Sequence, residues 1–504
     1  MARPWSNTPS PDWSSTSEEI RPKLLNPTST SSSVPDHCVT SVTSVSFLNL
    51  EIGMTPNSDS GRPDQKKLRR LMAAALVGSS IEWYDFFIYG TAAALVFGKL
   101  FFPNASPLMG TLLSFSTFWA GFIARPLGGL VFGHIGDTFG RKPALVSCLI
   151  LVAASTCAIG VLPTAKSIGV AAPILLVALR FLQGIAVGGQ WGGVTLLLTE
   201  TTRPNRKGQA GTFGQMGVPL GLMLGTGAFL LVSGFVKGRD FLNWGWRIPF
   251  LASAVLFLVV LFIQLRIEDS PEFRRLRDRA DEASTTIAQA PIIEVLRKHS
   301  KRVLLGAGLL FGSNAIFYIS VAGVLDYGVR KLGLERQGLL TVSLISSAIS
   351  VPVIYLAGSL SDRFGRRPLI LTGAAIMALW AFPFFWLVET GSLAAILIAT
   401  VVGSGLGSGL VYGPLAAYLA ELFEPRIRYS GITMSYQLAA ILVSGGTPFL
   451  MTALLAATGS TRAVSVFVMI MALCTLGSAW ALPETVARKQ SATAGESASV
   501  AVQP

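Results

Sequence analysis

Arg125-Pro126-Leu127-Gly128-Gly129-Leu130-Val131-Phe132-Gly133-His134-Ile135-Gly136-Asp137-Thr138-Phe139-Gly140-Arg141-Lys142 passes from an apolar run into a compact, charged turn punctuated by glycines. The same chemistry returns as Gly358-Ser359-Leu360-Ser361-Asp362-Arg363-Phe364-Gly365-Arg366-Arg367. The shared pattern, Gly-x-x-x-Asp-x-Phe-Gly-Arg-basic, thus occurs twice, 225 positions apart. A repeat at that distance in so apolar a chain reads as two similar membrane halves joined in tandem. Glycine permits close helix approach and a tight reversal, and an Asp accepts from the exposed amides of a helix start. A loop that is merely basic is the plainer reading, but the bias of inner loops toward positive charge asks for Lys and Arg, not for glycine spacing.

Composition agrees with a membrane chain. Hydrophobic residues make up 51% and charged residues only 13%, and the mean hydropathy is +0.57, which excludes an ordinary soluble globule. The net charge of +13 lies in short connections between apolar runs, with no continuous basic patch, so no nucleic-acid partner is expected. Cys38, Cys148, Cys157 and Cys474 have neither metal-ligand nor paired spacing, and no cofactor or metal is expected. No nucleophile and base cluster marks an enzyme.

Taken in order, residues 1–65 are rich in Ser, Thr and Pro and read as a disordered tail. Met54 leads into Lys66-Lys67-Leu68-Arg69-Arg70 and offers an alternative start. An all-α membrane fold of twelve spans is expected, near 71–96, 108–132, 143–163, 172–199, 209–236 and 247–267, then 303–328, 337–360, 368–388, 391–420, 431–456 and 462–482. The first six form a half over 66–267 and the second six a half over 303–483, with a polar linker at 268–302 and a disordered tail at 484–504. The linker contains Arg274, Arg275, Arg277 and Arg279, and part of it suits an amphipathic helix on the membrane surface. Basic clusters put both termini on the cytoplasmic side. A second echo, Glu200 to Gly208 against Glu421 to Gly431, again bridges two spans with acid, Pro, base and Gly. Gly217, Gly221 and Gly225, and Gly403, Gly405, Gly407 and Gly409, point to close helix packing.

Ionisable groups within spans cost several kcal/mol unless paired or hydrated, so Glu82, Asp85, Arg125 and Arg180 are the candidates for function. At about 1.5 Å per residue, Asp85 and Arg180 reach similar depths, and a direct Asp85 to Arg180 pair is expected. Glu82 and Asp85 lie one turn apart on one face, where two carboxylates repel unless a proton or cation intervenes, so they are expected to handle protons. Arg125 and Arg180 have a second reading as braces of helix ends. Asp326, near the far end of the seventh span, reads as a solvated rim residue. Trp83, Tyr84, Trp191 and neighbouring aromatics suit packing, the interfacial belt or a ring-shaped substrate.

Gly133 to Lys142 resembles the loop between the second and third helices of the major facilitator superfamily, and its echo resembles the loop between helices eight and nine. The resemblance implies twelve helices in two halves, with a substrate site between them open alternately to each side. Five passages are similar to the metabolite:proton symporter branch: Ile81-Glu82-Trp83-Tyr84-Asp85-Phe86, Ala124 to Gly129, Arg180-Phe181-Leu182-Gln183-Gly184, Trp244 to Phe250 and Glu268 to Phe273. Leu100-Phe101-Phe102-Pro103 and Ala172-Pro173-Ile174-Leu175-Leu176 resemble its shikimate-type carriers, a branch that also holds carriers of dicarboxylates, citrate, proline and glycine betaine. One departure stands out: the branch usually has Glu where this chain has Gln190, and an amide carries no proton.

The resemblance implies a secondary transporter of the bacterial inner membrane, importing a small organic anion with protons, as a functional monomer in the lipid bilayer. Glu82 and Asp85 would carry protons. Arg180, Arg125, Gln190, Trp191, Trp83 and Tyr84 would meet the substrate. Gly133, Asp137, Gly140, Arg141 and Lys142, with Gly358, Asp362, Gly365, Arg366 and Arg367, would latch the halves on the inside. A proline or glycine betaine carrier is the first alternative and a non-transporting membrane sensor the second.

Overall fold

The structure, a computed structural model, describes residues 65–139, 141–188, 190–266, 295, 297–425 and 427–486, all within the unit Arg62–Pro504. Among the described residues every regular element is helical. Among the described residues ten helices are long and apolar enough to cross a membrane: α1 (Leu71–Phe101), α2 (Pro107–Gly129), α4 (Ala171–Glu200), α5 (Pro204–Phe235), α7 (Ser300–Arg330), α8 (Arg336–Phe364), α9 (Arg366–Glu389), α10 (Leu393–Leu422), α11 (Arg428–Thr458) and α12 (Thr461–Ala481). Two more, α3 (Arg141–Val161) and α6 (Ile248–Arg266), complete twelve. The amphipathic helix expected in the 268–302 linker lies outside the described residues, as do residues 1–64 and 487–504 of the two tails.

The tandem repeat is visible in the packing. In the first half α1 lies on α5, α2 on α4 and α3 on α6; in the second, α7 lies on α11, α8 on α10 and α9 on α12. The matching helices α1 and α7 even carry matching single π-helical turns, Ala93–Phe97 and Ile319–Gly323. Such turns commonly mark functional positions. Between the halves α5 packs on α8 and α10, and α2 on α11.

Helix ends differ from expectation chiefly at the repeated motif, where a charged loop was expected. Gly358 to Phe364 is still helical, and the reversal into α9 is made by Gly365 alone, at φ 97°. An L side chain rarely adopts that conformation, so a single residue can turn the chain only if it is glycine. The first helix also outruns its expected end at 96, continuing through the π turn to Phe101 and stopping before Pro103.

Polarity is arranged for lipid. Phe235, Leu379 and Trp480 are 87%, 80% and 71% exposed, while Asp85, Arg125, Arg180 and Gln183 are buried. With no water in a bilayer core, apolar groups face out and polar groups must find partners within. Helix contact relies on small residues: a Cβ on Gly221 would stand 2.5 Å from the Trp83 Cβ, so α1 and α5 touch nearly backbone to backbone.

Candidate functional site

Near the middle of α1, Glu82, Asp85 and Phe86 share one face through their i, i+3, i+4 spacing. That face, with Trp83, meets Gly121 and Arg125 of α2 and Arg180, Gln183, Gly184 and Val187 of α4 around a narrow crevice with room for about one water molecule. Tyr84 is turned to the opposite side, where its hydroxyl donates to the Pro249 carbonyl of α6 at 2.6 Å. Tyr84, expected to meet the substrate, does not line the crevice: a step of two residues along a helix points it away from Glu82.

The direct pair expected between Asp85 and Arg180 is also corrected, because Gln183 stands between them. Arg180 Nη1 donates to Gln183 Oε1 at 2.5 Å, and Gln183 Nε2 donates onward to Asp85 Oδ2 and, at 2.8 Å, to Thr156 Oγ1 of α3. Asp85 Oδ1 and the Nε and Nη2 atoms of Arg180 are buried without a hydrogen-bond partner. Leaving such groups unpaired costs about 1–3 kcal/mol each, and more when they are charged. Gln183 lies in the quoted Arg-Phe-Leu-Gln-Gly passage; its position three residues beyond Arg180, on the same buried face, was the signal that could have singled it out. Thr156 had no comparable signal.

Aromatic rings carry the two guanidiniums. Arg180 lies 4.3 Å from the Tyr89 ring centre, 4.6 Å from Phe86 and 5.3 Å from Phe118, while Arg125 lies 4.5 Å from Phe122 and 4.9 Å from Phe86. One ring, Phe86, thus serves both cations. Desolvated contacts of this kind contribute about 2 kcal/mol. Space for Arg180 depends on Gly121, whose added Cβ would stand 2.6 Å from Arg180 Nε. The free Nε and Nη2 atoms share one edge of the guanidinium, the fork that receives both oxygens of a carboxylate.

The second half faces this cluster with tyrosines that sequence reasoning passed over. Tyr318 of α7 packs on Phe122, Phe118 and Phe86 at 5.9–6.3 Å. Trp191 stacks on Tyr436 of α11 at 4.0 Å and donates to Gln215 Oε1, whose Nε2 donates to the Tyr412 carbonyl. Trp191 therefore sits in the seam between the halves, while Trp83 lines the crevice. Lone aromatic residues in apolar spans look like packing, which is why Tyr318, Tyr412 and Tyr436 gave no signal.

Contacts between the halves lie on both sides of the crevice. Toward the repeated motif, Asp362 accepts from the Gly208 and Gln209 amides at 2.8 and 2.9 Å, in the first turn of α5's helical run. A carboxylate there satisfies amides that have no partner within the helix and meets the positive end of its dipole. Arg366, almost fully buried, holds Asp362 at 2.8 Å, and Glu421 lies 3.5 Å from it. Glu484 accepts from the Arg366 and Arg367 amides. Arg428 pairs with Glu200 at 3.0 Å, joining the two members of the second echo. Toward the other end, Trp119 Nε1 donates to the Ile441 carbonyl at 2.8 Å. Asp326, expected on a solvated rim, is buried at 5% exposure and held by Arg330 at 2.8 Å; one helical turn separates them, and a charge beneath the surface needs that partner. Gly133 lies in the helix Pro107–Phe139, while Gly140 and the side chains of Asp137, Arg141, Lys142 and Gln190 lie outside the described residues.

Comparison with known proteins agrees with this architecture. The model of the Major Facilitator Superfamily matches residues 75–445. The shikimate transporter of Escherichia coli (strain K12) is 39% identical over 429 residues, covering 84% of this chain and 97% of that protein. The proline/betaine transporter of the same strain is 31% identical over 432 residues, 84% and 85% of the two chains. Among solved structures, the D-xylose-proton symporter superposes with a TM-score of 0.63 over 83% of this chain and 98% of that one, at 20% identity, a likeness of fold alone.

Proposed function

The chain belongs to the major facilitator superfamily, and from that premise we propose that it imports a small organic anion, together with protons, across the bacterial inner membrane by alternating access. It is a multi-pass membrane transporter and not an enzyme. Basic clusters at Lys66 to Arg70 and at Arg203, Arg206 and Lys207 support a cytoplasmic position for the repeated motif and both termini.

The observation that carries the anion reading is Arg180: buried, held on aromatic rings, with the Nε and Nη2 edge of its fork unpartnered beside a crevice that also contains Asp85 and Glu82. A buried guanidinium edge takes a carboxylate well. Asp85 and Glu82 then serve as the proton carriers, and Gln190 leaves that task to them. Glycine betaine or proline is the alternative cargo. A quaternary ammonium would be recognised by open aromatic faces, yet here Phe86, Phe122 and Tyr89 already carry the protein's own cations, which favours the anion. In this reading Asp362 and Arg366 hold the inner side shut, as Asp137 and Arg141 would at the equivalent turn.

The test is uptake of labelled shikimate by cells expressing the protein, with and without a protonophore, against unlabelled 2-oxoglutarate, benzoate and betaine. Uptake that collapses with the protonophore and is blocked by a carboxylate is the expected result. Accumulation of betaine or proline with no uptake of any acid would sink the proposal.

A further inference from the structure

We infer that Gln183 is the positioning residue that couples anion binding at Arg180 to proton binding at Asp85. This rests on the organic-anion reading and supplies its linkage. The orientation of the amide is fixed by chemistry: arginine has only donors, so the atom facing Arg180 Nη1 must be Oε1, which directs Nε2 to Asp85 Oδ2 and Thr156 Oγ1. All three side chains are at most 2% exposed, so no bulk water replaces a partner lost.

An amide has one accepting and one donating end, and here each end meets a group of fixed polarity. In the observed orientation Gln183 needs Arg180 as donor and Asp85 as acceptor. Turned over, Oε1 would face Asp85, which satisfies it only when the carboxyl carries a proton, and Nε2 would face Arg180, donor against donor. That second arrangement needs an anion bound at the guanidinium that also accepts from Nε2, because two buried donors would otherwise be left unpaired. The two orientations of one side chain therefore match two states of the site, anion-free with Asp85 as acceptor, and anion-bound with Asp85 protonated. Loading one ligand favours the other, and the coupling is reciprocal. A direct Asp85 to Arg180 ion pair would make the two groups release each other but would not tie proton loading to a matching acceptor. The other ionisable groups facing Asp85 are Glu82 and Tyr84 on α1 and Cys157 on α3, and those facing Arg180 are Tyr89 on α1, Arg125 on α2 and Tyr318 on α7.

The experiment measures shikimate affinity of the purified full chain against pH, by tryptophan fluorescence, with proton uptake on shikimate addition in weak buffer as a second readout. In the wild type, affinity is expected to rise as pH falls, approaching about tenfold per unit for one linked proton. Gln183→Met keeps length but has no two-ended amide, and Gln183→Asn is too short to span both partners. Both are expected to bind shikimate with a pH dependence flattened to within about twofold and with proton uptake lost. If both variants keep the wild-type slope and proton uptake, the relay is overturned while proton-coupled anion binding stands. If the wild type itself binds carboxylates with no pH dependence, proton coupling and the relay fall together.

Discussion

Trp191 and Tyr436 lie face to face, ring centres 4.0 Å apart and planes 16° from parallel, across the boundary between the two halves. The neighbouring Gln437 donates to the Gly188 carbonyl at 2.7 Å, so α4 and α11 are clasped by a stack and a hydrogen bond beside the crevice. An aromatic pair contributes about 0.5–1.5 kcal/mol beyond its buried area. Tyr436→Ala should therefore shift the closed form toward opening by up to about tenfold, and Tyr436→Phe, which keeps the stack, by little. The readout is maleimide labelling of a cysteine introduced by Val187→Cys, with the native cysteines replaced. Equal labelling rates in the Ala and Phe variants would contradict a closing role for the stack.

Arg180→Lys keeps the charge but loses the planar fork. Substrate affinity should fall about 10- to 100-fold, the range expected when hydrogen bonds to a charged group are lost. Competition binding with a carboxylate measures it. A normal affinity would make Arg180 a brace for its aromatic neighbours and remove the main support for an anionic cargo.

Gly121→Ala places a methyl group 2.6 Å from Arg180 Nε, against the free edge of the guanidinium. A raised KM with normal membrane insertion is expected. Gly193→Ala is the matched control on α4, since an added Cβ there meets nothing within 4 Å. The pair separates the general gain in helix propensity that Gly→Ala brings from loss of space at the site: if both variants behave alike, Gly121 has no special relation to Arg180.

Asp362→Asn keeps one acceptor for the first turn of α5 but removes the charge that faces the helix dipole and Arg366. The form closed on the motif side should lose about 1–3 kcal/mol. Transport should slow while the amount of protein in the membrane stays constant, and Asp137→Asn should do the same if the first copy of the motif acts alike. Unchanged rates in Asp362→Asn would remove the latch role from this carboxylate.

Much of the fold was legible because lipid imposes long apolar runs, and because the Gly133 and Gly358 motifs repeat with their spacing intact. The twelve helices follow from those two facts. The ends of the motif helices were less legible: a run of polar residues looks like a loop, whereas α8 continues through Asp362 and turns at Gly365 only. At the site, charge made Glu82, Asp85, Arg125 and Arg180 conspicuous, since a charge in a span is rare. Neutral polar groups are not rare there, so Gln183 and Thr156 passed as ordinary helix residues although they complete the hydrogen-bond network. The tyrosines of α7, α10 and α11 were hidden for the same reason, and Asp326 was misread because its depth depends on how α7 packs.

In the proposed cycle anion and proton cross together. The most direct measurement is proton flux in liposomes holding only the purified protein and an internal pH dye, with shikimate added outside and no imposed gradient. Acidification of the interior on addition, absent in Asp85→Asn, is the predicted result. Shikimate entry with no proton movement, or equal acidification in Asp85→Asn, would contradict it.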